Sequence, residues 1–241
     1  STLFPYTTLF QSALKELCRK MTDKNLLEAT FGMDGTEINA AGPFVPKEKQ
    51  NELLQILDEI QKEDYLVLSG SVAPGMDKDF YARICQRMEE RGVPVVVDAG
   101  GETLRRALPF HPFLIKPNRQ ELEEYYGVSL GNREEIKEYA KRLIAEGAKN
   151  VMVSLGAGGA VLLTRKGDVY DRKTIPGDVI QTVGSGDSMI AGFLYSLAEK
   201  KDPEEAFAYA MAAGMAAAFS EGLPKKRSIE EMYSKIYLPE A

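Results

Sequence analysis

Histidine and cysteine are scarce in this chain of 241 residues, with one of the former and two of the latter. Cys18 and Cys85 lie far apart and form neither a CxxC nor a metal-ligand spacing, which excludes a disulfide scaffold or zinc ribbon. Two idle thiols suit a reducing compartment, so a cytoplasmic protein is expected. His111 stands alone between Phe110 and Pro112, and a histidine without a partner reads as structural. No apolar run approaches the roughly eighteen residues of a membrane span, and no charged-then-apolar signal segment opens the chain. Neither a GxxxxGK[ST] loop nor GxGxxG, HExxH or GxSxG is present, which removes Walker-type, dinucleotide-fold, zincin and serine-hydrolase chemistry. Internal repeats and low-complexity tracts are absent. A net charge of −6 and a pI near 5.1 disfavour nucleic acid or an anionic membrane as the main partner.

What is present is an ordinary globular composition, 44% apolar and 27% charged, enough for one large domain or one plus a small lobe. Ser1 to Ser12 show no period and are set aside as non-native or unassigned. Ala13 to Lys20 is amphipathic. Phe31 to Ala40, with Asp34-Gly35 at its centre, predicts a small strand-rich lobe. From Pro46 the pattern changes. Leu53, Leu54, Leu57 and Ile60 define a helix that leads to the apolar run Tyr65 to Leu68. The alternation repeats: helix Asp77 to Arg91 before Val93 to Val97, helix Glu102 to Leu108 before Phe113 to Ile115, and helix Arg133 to Glu146 before Val151 to Val153. Buried strands alternating with amphipathic helices imply an α/β fold with a mostly parallel sheet covered on both faces. Extended pieces at Ala160 to Thr164, Val169 to Arg172 and Val179 to Thr182 predict antiparallel strands at a sheet edge. Two helices are expected to close the chain, one from Asp187 and one from Pro203 to about Phe219, with Lys225 to Arg227 a solvated run beyond them.

In open α/β sheets, ligands gather beyond the carboxyl ends of the strands. Five clusters fall there: Ser69 to Gly75, Asp98, Lys116-Pro117-Asn118, Ser154-Leu155-Gly156-Ala157-Gly158-Gly159, and Gly184-Ser185-Gly186-Asp187. Each has a structural reading beside a functional one. Asn118 with Glu121 is a capping box, or a pair that serves Mg²⁺ while Lys116 meets nucleotide phosphate. Ser154 to Gly159 is a tight strand link, or a glycine path along which a nucleotide lies. Asp98 is a strand-end cap. Asp187 is an N-cap after a glycine turn, or a general base at a helix start whose N–H groups cradle an anion.

The stretch Thr182-Val183-Gly184-Ser185-Gly186-Asp187-Ser188 resembles the second signature of the PfkB, or ribokinase-like, carbohydrate kinases. The likeness runs from about Thr36 onward. Ser69 to Gly75, Lys116 to Glu121, Ser154 to Gly159 and Phe219-Ser220-Glu221-Gly222-Leu223 resemble the branch of the 1-phosphofructokinases and tagatose-6-phosphate kinases. The resemblance implies a three-layer α/β/α domain over 13–241 with a small, incomplete β lid. It implies ATP-dependent phosphorylation of fructose 1-phosphate, with tagatose-6-phosphate kinase, 6-phosphofructokinase or an inactive nucleotide-binding fragment as alternatives. It makes Asp187 the base and gives the N–H groups of Gly184, Ser185 and Gly186 to the transferring phosphoryl group. It assigns Ser154, Leu155, Gly156, Ala157, Gly158, Gly159 and Gly186 to the ATP site, Lys116 to the ATP phosphates, Asn118 and Glu121 to Mg²⁺, and Ser71 to the sugar phosphate. The strand-rich lobe at Phe31 to Ala40 could pair two subunits into a homodimer, with the oligomeric state left open, and the small lid region falls around residues 22–42. The family's opening strand and sugar-gripping cluster have no counterpart before Ala13, so an N-terminally truncated chain is expected. Near Thr22-Asp23-Lys24-Asn25, Asp23 occupies the place of a phosphate-binding arginine.

Overall fold

The computed structural model of the protein describes residues 27–32, 35–40 and 43–237, in two compact units, Ser1–His111 and Pro112–Ala241. The expectations for Ser1 to Lys20 and for Asp23 fall outside the described residues.

In the first unit, β1 (Leu27–Gly32) and β2 (Gly35–Ala40) pair antiparallel from Leu27↔Ala40 to Gly32↔Gly35, the hairpin expected of this lobe. Helix α1 (Lys47–Leu57) follows and buries Gln50, Leu53 and Leu57. Strand β3 (Leu66–Ser69) pairs in parallel with β4 (Val95–Asp98), bringing Ser69 level with Asp98. Between them α2 (Phe80–Glu90) buries Phe80, Tyr81, Ile84, Cys85 and Met88, one apolar stripe at helical spacing. It begins three residues later than the apolar pattern suggests, because Asp77 spends its backbone carbonyl on Phe80 N–H and its carboxylate on Lys47 and Arg83. Gly92, at φ 72°, turns the chain out of the helix. Helix α3 (Gly101–Ala107) runs into a 3₁₀ turn at Leu108–Phe110. His111 closes that turn at φ 47°, its Nδ1 2.7 Å from Glu89 Oε1, in agreement with a structural histidine.

In the second unit, β5 (Leu114–Ile115) pairs in parallel with β6 (Asn150–Ser154), which pairs antiparallel with β7 (Ala160–Thr164), and β7 antiparallel with β8 (Val169–Arg172). The sheet is therefore mixed, parallel through β6 and antiparallel after it. Thr164 and Asp168 close the β7–β8 turn with an Oγ1 to Oδ2 bond of 2.8 Å. Helices α4 (Arg119–Tyr126) and α5 (Arg133–Ala145) both precede β6.

Two expectations are corrected. Val179 to Thr182 forms no strand: the N–H groups of Ile180 and Gln181 both bond Ala218 O, so no ladder can propagate, and Val179 and Ile180 stay exposed. The chain closes with three helices, α6 (Ser185–Ala198), α7 (Pro203–Ala218) and α8 (Lys226–Tyr237), so Lys226 and Arg227 open a helix rather than trail one. The cause is legible in Ile229, Met232, Tyr233 and Ile236, spaced as one helical face and packed on Ala212, Ala213 and Ala216 of α7. Helices α6 and α7 approach closely because Gly192 leaves room for Ala213 and Gly214 leaves room for Met189.

Candidate active site

Three of the five strand-end clusters, at Lys116 to Asn118, Ser154 to Gly159 and Gly184 to Asp187, belong to the second unit; those of Ser71 and Asp98 belong to the first. Helix α6 begins at the Gly184 to Asp187 cluster. Gly184 caps it in the left-handed region, φ 79°, a conformation a side chain would strain. The turn is held by Ser185 N–H on Thr182 O at 3.2 Å and by Ser185 Oγ on Gly214 O at 2.9 Å. Ser188 N–H bonds Gly184 O at 2.9 Å. Among the described residues, the N–H groups of Gly186 and Asp187 have no acceptor, and they point with the positive end of the helix. Of the three expected donors Ser185 N–H is already engaged, while Gly184 N–H, like those of Gly186 and Asp187, has no acceptor among the described residues.

Lys116 supplies the positive side chain. It is buried at the end of β5, and its Nζ reaches the bare Cα of Gly186, where an added Cβ would lie 2.7 Å from it. Gly186 is thus required by the approach of an ammonium. Asp187 stands exposed on the first turn of α6. A carboxylate, an ammonium and two open N–H groups therefore meet at one helix start, the set needed to hold a phosphoryl group while a proton leaves a hydroxyl.

Asn118 caps α4, and both halves of the capping box are formed: Asn118 Oδ1 accepts from Glu121 N–H at 2.8 Å, and Glu121 Oε2 accepts from Asn118 N–H at 2.8 Å. The second carboxylate oxygen of Glu121 is left for another partner. A bridge from Asn118 to Ser154 sets the cap beside the end of β6, with Ser154 N–H on Pro117 O at 3.1 Å.

The loop Leu155 to Gly159 closes on itself through Leu155 N–H to Gly159 O at 2.8 Å. Gly159, at φ 97°, passes so near Arg172 O that no Cβ fits. Sequence reasoning missed the residues that brace this loop. Arg133 donates to Gly158 O at 3.0 and 2.8 Å and pairs with Asp171 at 3.0 Å, while Thr174 Oγ1 donates to Ala157 O at 2.6 Å. Nothing in the local pattern flags them, since they reach the loop from elements far along the chain. One side of the loop borders a cleft of about 420 Å³ lined by Arg119, Asn132, Arg133, Ile136, Lys173 and Thr174 among others.

Ser71 is exposed in the turn after β3. That turn is anchored at its start by Gly70 N–H on Asp98 O at 3.0 Å and Tyr81 OH on Ser69 O at 3.1 Å, so Asp98 holds a loop by its backbone. Burial and the nearby Asp98 push the Tyr81 phenol up to about 12.

Residues 16–227 match the pfkB family carbohydrate kinase pattern, spanning both units. The 1-phosphofructokinase of Bacillus subtilis (strain 168) is 36% identical over 84% of this chain and 67% of its own length. A D-tagatose-1-phosphate kinase of Bacillus licheniformis is 31% identical over 82% of the chain and 65% of its own. The chain thus spans about two thirds of the length of these relatives. The structure of Escherichia coli phosphofructokinase-2 in complex with substrates and products aligns with a TM-score of 0.77 at 28% identity, covering 83% of this chain and 67% of that one. Arabidopsis thaliana ribokinase, at 22% identity and a TM-score of 0.69 over 87% of this chain and 69% of that one, shares the fold. On the length of the match, the signature at Thr182 to Ser188 and the ribokinase-like α/β fold, the chain belongs to the pfkB family of carbohydrate kinases.

Proposed function

We propose that the protein transfers the γ-phosphoryl group of ATP to a free hydroxyl of a ketohexose monophosphate, with fructose 1-phosphate as the substrate and fructose 1,6-bisphosphate as the product. The observation that carries this reading is the meeting of Asp187, Lys116 and the open N–H groups of Gly186 and Asp187 at the start of α6. Asp187 takes the proton as the sugar oxygen attacks phosphorus, ADP leaves, and the helix N–H groups and Lys116 stabilise the charge on the phosphoryl oxygens. Residues Ser154 to Gly159 give the nucleotide a path of bare backbone, and Ser71 takes the phosphate already on the sugar. The names of two relatives at 36% and 31% identity, 1-phosphofructokinase and D-tagatose-1-phosphate kinase, favour a sugar carrying its phosphate on C1.

Asn118 and Glu121 fit Mg²⁺. They are oxygen donors at a helix start, and one Glu121 oxygen is outside the capping box. An ion there would be held by one carboxylate, water and substrate phosphates. Bound there, Mg²⁺ would offset charge on the phosphates.

Residues 13–241 act as one kinase domain with 22–42 as its lid, and the β1–β2 hairpin pairs two copies into a homodimer; a monomer in sedimentation would remove the pairing. A cytoplasmic location accompanies the reading, supported by the free, buried Cys85. No described helix is long and apolar enough to cross a membrane.

The test is ADP release with fructose 1-phosphate, tagatose 1-phosphate, tagatose 6-phosphate and fructose 6-phosphate. Fructose 1-phosphate is expected to give the highest kcat/KM. Preference for a 6-phosphate would replace the substrate assignment, and ATP binding without turnover on any of the four would leave a nucleotide-binding fragment.

A further inference from the structure

The chain leaving the β1–β2 hairpin and the loop that carries Ser71 are fastened together by one buried amide. Gln50, on α1, is 1% exposed. Its Nε2 donates to two carbonyls from distant segments, Val45 O at 2.9 Å and Gly75 O at 2.9 Å. Its Oε1 is buried with no hydrogen-bond partner. An orphaned buried acceptor carries a desolvation penalty, and at this position on α1 an apolar side chain would avoid it. Turning the amide over gives no relief, because Oε1 would then face two carbonyl oxygens. The residue is held in an unfavourable setting by what its NH₂ group connects.

The connection is reinforced on both sides. Val45 N–H bonds Pro74 O at 2.8 Å, and Lys47 pairs with Asp77 just beyond. The Phe44 ring lies across Gly75, where an added Cβ would come within 2.6 Å of Phe44 Cδ2, although the ring is itself 63% exposed. The Ser71 loop is thus tied at its start by Asp98 and Tyr81 and at its end by Gln50, Val45 and Phe44.

We propose that Gln50 is a positioning residue that clasps the segment rejoining from the lid hairpin to the exit of the Ser69–Gly75 loop and so sets Ser71 for the substrate's phosphate. Gln50 does not touch the substrate. The inference rests on the reading of Ser71 as a sugar-phosphate contact, and its test keeps the two apart.

Steady-state kinetics and amide hydrogen exchange on the full-length protein carry that test, with Gln50→Met, Gln50→Glu and Phe44→Ala. Gln50→Met keeps length and loses both donors. It is expected to raise KM for the sugar phosphate about tenfold, the effect of losing roughly one charge-free clasp of two bonds, while KM for ATP stays within about twofold. Phe44→Ala, at an exposed ring whose loss leaves the core filled, is expected to move the same KM in the same direction and decides the matter should neither Gln50 variant fold. In Gln50→Glu a carboxylate faces the two carbonyls, and protonation restores one donor, so its sugar-phosphate KM is expected to fall toward the wild-type value as pH drops, a trend the wild type lacks. Exchange of the Val45 and Met76 amides is expected to quicken in Gln50→Met with no substrate present. Wild-type turnover combined with an unchanged sugar-phosphate KM in Gln50→Met and Phe44→Ala, or a KM for ATP rising in parallel, overturns the clasp alone. Unchanged exchange overturns it even if no sugar phosphate is a substrate, an outcome that by itself would remove only the functional reading.

Discussion

At the residue scale the account turns on how little space surrounds Gly186. Lys116 can sit against α6 only because position 186 has no side chain, so Gly186→Ala must push the ammonium away from the open N–H groups. The obstructed atom is the end of a flexible side chain, so folding should be little changed, whereas kcat is expected to fall on the order of a hundredfold, the scale of losing one charge-stabilising donor. Thermal unfolding beside turnover checks this, and an equal loss of both would contradict it. Asn118 combines two duties. Asn118→Ala removes a formed cap and should cost about 1 kcal/mol of stability, read as a lower denaturation midpoint. If Asn118 also serves Mg²⁺, the Mg²⁺ concentration giving half-maximal rate rises in the same variant.

At the scale of elements, close packing of small residues joins α6 to α7. A Cβ at Gly192 would stand 2.7 Å from Ala213 Cβ and 3.0 Å from Tyr209 O, and a backbone atom cannot step aside as a side-chain tip can. Gly192→Ala is therefore expected to destabilise by about 1–3 kcal/mol, lowering Tm by several degrees. Because α6 starts in the site, activity should fall with it. Much of this was legible beforehand. Alternating apolar runs and helical stripes located β3 to β8 and every helix from α1 to α7 except α4, because burial imposes a period that the residue pattern must carry; α4 was marked only by its capping box. The Asn118–Glu121 box and the Gly184 turn were readable because caps and left-handed turns depend on particular residues three or four positions apart. What escaped is long-range or periodic without a cap. Val179 to Thr182 has strand-forming residues but meets only Ala218 O, a fact set by where α7 ends. Helix α8 hid behind a basic run at its start. Arg133, Thr174 and Gln50 act through backbone carbonyls of remote segments, and no local pattern records such a partner.

At the scale of the whole molecule, stability should depend on pH at both extremes. Hydrogen bonding and charge from Arg87 hold Asp58 below the usual carboxylate range, Lys47 does so for Asp77, and Leu130 N–H with Arg119 does so for Glu123. A carboxylate with a lowered folded pKa adds stability above its unfolded value that is lost as pH falls through the folded one, so the denaturation midpoint should decline below about pH 4. Burial pushes the Cys85 thiol and the Tyr81, Tyr209 and Tyr233 phenols up to about 12. The folded protein then keeps protons the unfolded chain has released, so stability should also decline from about pH 9 upward. Denaturant midpoints from pH 3 to 11 would show a plateau between, and a midpoint still rising at pH 10 would contradict this. The central claim is that one helix start carries both the base and the cradle, and the most direct measurement compares ADP release and ATP affinity in the wild type and Asp187→Asn with fructose 1-phosphate. The account predicts a loss of turnover of at least about a thousandfold with ATP affinity within a few fold of wild type; near-normal turnover in Asp187→Asn would contradict it.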